Sequence, residues 1–244
     1  MYVPWLPPAD VWMAFRTSNL LSGKLIVVIL FLASIFAWAV MISKWNELAA
    51  AQRASWRFLQ AFRREGHPLA IFLRRQRFDP SPLYRIYEAG CATLGAEING
   101  LKRGEPELLP SQDRLERVEM NALQIEVVRR VTERAVADQA LLLENRMGFL
   151  MTAVSASPLL GLLGTVWGVL DAFGAMAVKG MANLSAVAPG ISGALLTTVV
   201  GLLVAIPSSI GYNMLAGRIR TLAVQMDNFS QEFVAELQRA FVKS

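Results

Sequence analysis

LIVVILFLASIFAWAVMI, residues 25–42, is an unbroken run of apolar or small residues with no charge. At 1.5 Å of rise per residue it is long enough to cross about 30 Å of hydrocarbon as a helix. Two more charge-free stretches follow, one between Arg146 and Asp171 and one between Lys179 and Arg218. Of the 244 residues, 54% are hydrophobic and 18% charged, and mean hydropathy is +0.40. A soluble domain carries roughly a quarter charged residues. The pattern excludes an ordinary soluble enzyme and a disordered chain. It reads as an all-α membrane protein, three transmembrane helices with long cytoplasmic helical extensions.

Orientation follows from the flanks. Lys44, Arg53, Arg57, Arg63 and Arg64 follow the first apolar run, against Arg16 and Lys24 before it. The positive-inside rule then puts the N-terminus outside. The expected order is a periplasmic segment 1–22, a first span 23–44, and a cytoplasmic helical domain 45–146. A second span 147–177, a periplasmic loop 178–185, a third span 186–215 and a cytoplasmic C-terminal helix 216–244 complete it. Trp45 falls at the inner interface, Trp5 and Trp12 near the outer one. Ala37-Trp38-Ala39 imitates a cleavage site, but the preceding region is long, contains Pro4, Pro7 and Pro8, and is barely basic. The run reads as an uncleaved anchor.

The net charge of +5 and pI near 9.7 match cytoplasmic Lys and Arg. No basic run with interleaved aromatics is present, so no nucleic acid is expected as a partner. Cys91 and His67 are each the chain's only residue of their type. No internal disulfide, metal site or cofactor is expected. Neither a phosphate-binding glycine loop nor a nucleophile–base pair stands out, so the chain is read as no enzyme.

In the polar part, Leu48, Trp56, Leu59 and Phe62 recur at helical spacing and carry the first helix inward. Residues 100–110 read as a loop, with Ser111 an N-cap. Leu115, Val118, Ala122, Ile125 and Val128 predict one helix running from about 112 straight into the second span. Ile219, Leu222, Met226, Phe229, Phe233 and Leu237 give the tail an apolar side.

The second and third spans are rich in small residues at helical spacing. Gly161, Gly164, Thr165 and Gly168 recur in the second; Pro189, Gly190, Gly193, Thr197, Thr198 and Gly201 lie along the third. Small residues let membrane helices approach closely, so a tight helix–helix interface is expected. Thr165 and Thr198 lie on these stripes, and each hydroxyl either bonds a carbonyl one turn back or faces water or a partner. Asp171 is the only charge inside the second hydrophobic segment, and an intramembrane carboxylate is a functional candidate by default.

GLLGTVWGVLDAF (161–173) and VAPGISGALLTTVVGLLVAIPSSIGYN (187–213) resemble the paired signatures of the TolQ/ExbB/MotA proton-channel family. Residues 19–44 and DNFSQEF (227–233) are most similar to its TolQ branch. The resemblance implies a subunit of the bacterial inner membrane, five to a ring. The ring would enclose a TolR/ExbD-type single-span protein carrying an essential Asp. Proton flow past that Asp would drive a TolA/TonB-type output protein. A TolQ-like member serves a Tol-Pal cell-envelope system, and an ExbB-like one powers TonB-dependent uptake. A scaffold that binds a single-span partner without conducting is the third reading.

Thr165 and Thr198 match the family's two partner-facing Thr positions on the proton route. One departure stands out: the third-span motif PGIAEAL of TolQ and ExbB here reads Pro189-Gly190-Ile191-Ser192-Gly193-Ala194-Leu195, so Gly193 replaces a Glu. Asp171 stands where relatives carry His or Asn, and is expected to supply acidity near the outer mouth.

Overall fold

The computed structural model describes residues 21–100, 120–179 and 184–241. The expected loop after Gly100, the Ser111 cap and the outer Trp5 and Trp12 lie outside the described residues. The chain is helical: α1 (Leu21–Arg64), α2 (Ala70–Leu73), α3 (Pro82–Gly100), α4 (Ala122–Glu144), α5 (Met147–Lys179) and α6 (Leu184–Phe241). No strand occurs among the described residues. Two compact units divide these described residues, one drawn from those within 21–43 and 146–215, the other from those within 44–145 and 216–241.

In the first unit, α1, α5 and α6 each contain a stretch long and apolar enough to cross a membrane. Only 22%, 28% and 28% of their most apolar windows are buried within the chain. Large side chains such as Leu32, Leu163 and Leu203 point outward. Apolar side chains exposed on this scale need lipid or another subunit around them. Where the helices meet, Ile26 and Leu30 of α1 pack on Val204 of α6, with Leu160 and Val200 against them. Gly211 of α6 leaves room for the Met41 side chain, and Phe36 meets Phe149 edge to face at 4.2 Å.

The second unit is built on an aromatic cluster. Phe58 lies 5.2 Å from Phe229, 5.4 Å from Tyr87 and 5.7 Å from Tyr84, ring centre to ring centre. The Tyr87 hydroxyl donates to Pro68 O at 2.9 Å and accepts from Phe72 N at 3.1 Å, which fixes α2 on α3. α3 lies along α4. At Gly90 a Cβ would come within 2.6 Å of the Phe233 ring and 2.9 Å of Thr132 Cγ2, so a glycine is needed there. Arg63 grips Glu232 with two bonds of 2.9 Å. Lys44 is buried; its ammonium donates to Glu47 at 3.0 Å and to Leu143 O, in the last turn of α4, at 3.2 Å. A cation there complements the partial negative charge of the helix end. Arg218 lies over the Trp45 ring at 3.6 Å.

The structure corrects three expectations. The helix expected to run unbroken from about residue 112 into the second span stops at Glu144. Asn145 takes an extended ψ of 137° and Arg146 a left-handed φ of 69° before α5 begins. Within that predicted helix Ala122 was given an inward position, yet it is exposed. The cause is a capping box: Asn121 accepts from Leu123 N, and Gln124 Oε1 accepts from Asn121 N at 3.0 Å. This makes Ala122 the first helical residue.

Trp56, predicted on the inner face of α1, is 55% exposed while Leu48, Ser55, Phe58 and Phe62 are buried. At 100° per residue it sits about 100° round from the centre of that face. The third span and the C-terminal helix are one element, α6, which is 58 residues long, in keeping with the long helical extension expected of that span. The six apolar tail residues from Ile219 to Leu237 are all buried.

Candidate functional site

Small residues let α5 and α6 pass close together, antiparallel. A Cβ at Gly161 would meet Thr197 O at 2.9 Å and Thr198 Cα at 3.0 Å. One at Gly201 would meet Ser157 O at 2.6 Å, one at Gly168 the Ala194 Cβ at 2.6 Å, and one at Gly190 the Ala172 Cβ at 3.0 Å. At Gly164 it would run into the Thr197 side chain. α5 therefore presents its glycines at three- and four-residue intervals to backbone or small side chains of α6, and α6 meets it with Gly190 and Gly201. Gly193 is half-buried and Pro189 exposed on α6. Pro158, Pro189 and Pro207 lie inside helices that continue past them.

At the middle of this contact three hydroxyls converge on two carbonyls. Thr197 Oγ1 lies 2.9 Å from Gly161 O and 2.7 Å from Ala194 O. Thr165 Oγ1 lies 3.1 Å from Gly161 O and 3.2 Å from Ala194 O. Thr198 Oγ1 lies 3.2 Å from Gly161 O and is bonded directly to Thr165 Oγ1. Each hydroxyl owns one proton, so it cannot donate along all these directions at once. The cluster has several proton arrangements on one set of heavy atoms.

Burial divides the three. Thr197 is 2% exposed, whereas Thr165 and Thr198 are half-buried and so reach the outside of the helix pair. Around them stand Leu162, Val166, Leu195, Val199 and Leu202, all exposed and apolar. The hydroxyls themselves are bonded inward, to Gly161 O, Ala194 O and each other.

The bond one turn back is present, from Thr165 to Gly161 O, and so are bonds across to α6. Spacing alone places Thr197 on the small-residue stripe, and its position beside Thr198 is the sequence signal for its part in the cluster. Asp171 is not brought to this site. It lies six residues along α5 from Thr165, about 240° round the helix, and is exposed with no ion pair among the described residues. No group of three or more potential metal ligands occurs among the described residues.

Three membrane-length helices and the close antiparallel packing of two of them, with a part-buried hydroxyl cluster between, describe a membrane-embedded helical subunit. A model of the MotA/TolQ/ExbB proton channel family matches residues 107–228, and the chain belongs to that family. It is 33% identical to the Tol-Pal system protein TolQ of Haemophilus influenzae over 91% of each chain. Identity to the Pseudomonas aeruginosa TolQ is 32%, over 94% of this chain and 93% of that one. The biopolymer transport protein ExbB of Salmonella typhimurium is 30% identical over 86% of this chain and 79% of its own.

Proposed function

We propose that this chain is a TolQ-like stator subunit of a bacterial inner membrane. With a TolR-type single-span partner it uses the proton motive force to drive a Tol-Pal type cell-envelope system through a TolA-type output protein. The supporting observation is the Thr165–Thr198 pair, two bonded hydroxyls on half-buried residues at the edge of the packed helices α5 and α6. The similarity to two TolQ proteins over nearly the whole chain favours this service over ExbB-like support of TonB-dependent uptake. The N-terminus lies in the periplasm and the C-terminus in the cytoplasm, and five copies surround the partner.

The physics of the step is simple. The membrane potential supplies about 2.3 kcal/mol per charge per 100 mV. A partner carboxylate protonated from outside loses its charge and can pass the apolar wall. It releases the proton inward where hydroxyls at Thr165 and Thr198 can accept and pass on hydrogen bonds. Gly193 leaves no carboxylate on α6 at that motif, and Asp171 supplies acidity nearer the outer mouth. Asp171→Asn should then lower proton flux and shift its pH dependence; unchanged flux would sink that role.

The deciding experiment is proton flux into liposomes carrying this protein with its single-span partner, wild type against Thr198→Val. The variant keeps volume and loses the hydroxyl. Flux strongly reduced with the oligomer intact supports the stator. Proton-tight vesicles from an intact wild-type complex would establish the non-conducting scaffold instead.

A further inference from the structure

We propose that the cytoplasmic part of one copy docks against the next, with Glu133 of α4 in one copy seated between Arg53 and Arg57 of α1 in its neighbour. This rests on the ring reading above, and it names the contact that closes the ring below the membrane.

The receiving face is an open groove of about 740 Å³ lined by Ala49, Arg53, Trp56, Arg57 and Pro80. Trp56 stands 55% exposed there, although the same stretch of α1 buries Leu48, Phe58 and Phe62. Arg53 Nε donates to Ala49 O of its own helix at 3.1 Å. Neither Arg53 nor Arg57 has a carboxylate partner among the described residues. The groove is therefore cationic and partly apolar.

The docking face is the outward side of α4. Arg130, Glu133, Arg134, Asp138 and Leu141 are exposed there, Leu141 at 68%. Glu133 and Asp138 have no ion pair among the described residues, whereas Glu126 is matched by Arg129 and Arg130. The groove side of α1 carries two unpaired cations and no unpaired anion, whereas the α4 face carries two unpaired carboxylates, with Arg134 the one unpaired cation among them. Such a pairing is heterologous, the type of contact that makes rings.

Height selects the partner. The Lys44–Leu143 bond fixes where α1 and α4 run beside each other. Counted along each helix from that bond at 1.5 Å per residue, Arg53 lies about 14 Å down, Arg57 about 20 Å and Glu133 about 15 Å. Asp138 lies only about 8 Å down, level with Ala49 and short of both arginines. Copies inserted in one bilayer with the same topology share one height, so neighbours meet at equal depth. Asp227 of α6 reaches the same depth, nine residues below the Arg218–Trp45 contact, but accepts from Gln231 at 3.1 Å. This leaves Glu133 as the carboxylate at the depth of the two guanidiniums with neither an ion pair nor a hydrogen bond among the described residues.

The test uses the full-length protein in membranes. Arg53→Cys and Glu133→Cys are co-expressed on separately tagged copies and oxidised; Cys91 is buried and stays silent. A disulfide-linked dimer carrying both tags is expected, and it should be lost when both copies carry the same substitution. Glu133→Arg should weaken association about fivefold, with recovery when Arg53→Glu and Arg57→Glu are added. An intact oligomer without the mixed dimer overturns this pairing alone and leaves the groove to an anionic headgroup or another protein. A monomeric wild type overturns the ring as well.

Discussion

At the scale of single residues, the packed glycines differ in what stands opposite them. Gly201 faces the backbone oxygen of Ser157, which cannot swing aside, while Gly174 has nothing within 4 Å of a prospective Cβ. Gly201→Ala should therefore destabilise the α5–α6 pair by about 1–3 kcal/mol, and Gly174→Ala should be close to neutral; thermal unfolding in detergent separates the two.

Cys91 makes a second prediction. Burial pushes its thiol well above the ordinary range, with the Tyr87 side chain as a smaller opposing influence. The unfolded thiol therefore ionises first, once pH passes about 8.5. The contribution to stability is whole below that pH and declines as pH rises, by at most about 1.4 kcal/mol per pH unit. In the folded protein Cys91 should resist alkylation at pH 8 and react on unfolding, which mass spectrometry reads directly.

At the scale of elements, the decisive feature is the two-residue break between α4 and α5. Arg146 holds a φ of 69°, a conformation that costs a side-chain-bearing residue about 1–2 kcal/mol and glycine almost nothing. Arg146→Gly should then raise stability by up to about 1 kcal/mol, measured by unfolding in detergent; a clear loss would mean that the guanidinium holds the junction. Near the far ends of α1 and α6 the Arg63–Glu232 pair is bidentate but open to water, with the side chains 60% and 33% exposed. A double-mutant cycle should return about 0.5–1 kcal/mol and shrink with salt.

For the whole molecule, the proposed topology makes a direct prediction. A phosphatase reporter, active only in the periplasm, should work when inserted at residue 180 and fail at the C-terminus. The reverse result would turn the subunit over and remove the assignment of Asp171 to the outer mouth.

Three long apolar runs between charged flanks fixed the class of this protein. A bilayer demands helices whose side chains are apolar over about 20 residues, and that demand is written in composition. The tail's inner face was equally plain, because Ile219 to Leu237 follow one helical period and all six are buried. The Thr165 and Thr198 stripes could be named, and so could the glycines beside them.

What the chain did not announce depends on contacts between distant residues. The convergence of Thr165, Thr197 and Thr198 on Gly161 O and Ala194 O needs two helices brought together antiparallel in one register. The stop at Glu144 is set by a C-cap at Asn145 and a left-handed Arg146; asparagine is a weaker stop signal than proline or glycine, and neither of those stands at the break. Trp56 turned outward because the buried face of α1 was chosen by Phe229 and Tyr87 packing on Phe58, a selection made only when the aromatic cluster assembles. Membrane character is a property of each segment alone and is legible in sequence. Register, breaks and the hydroxyl cluster belong to pairs of segments, and tertiary structure decides them.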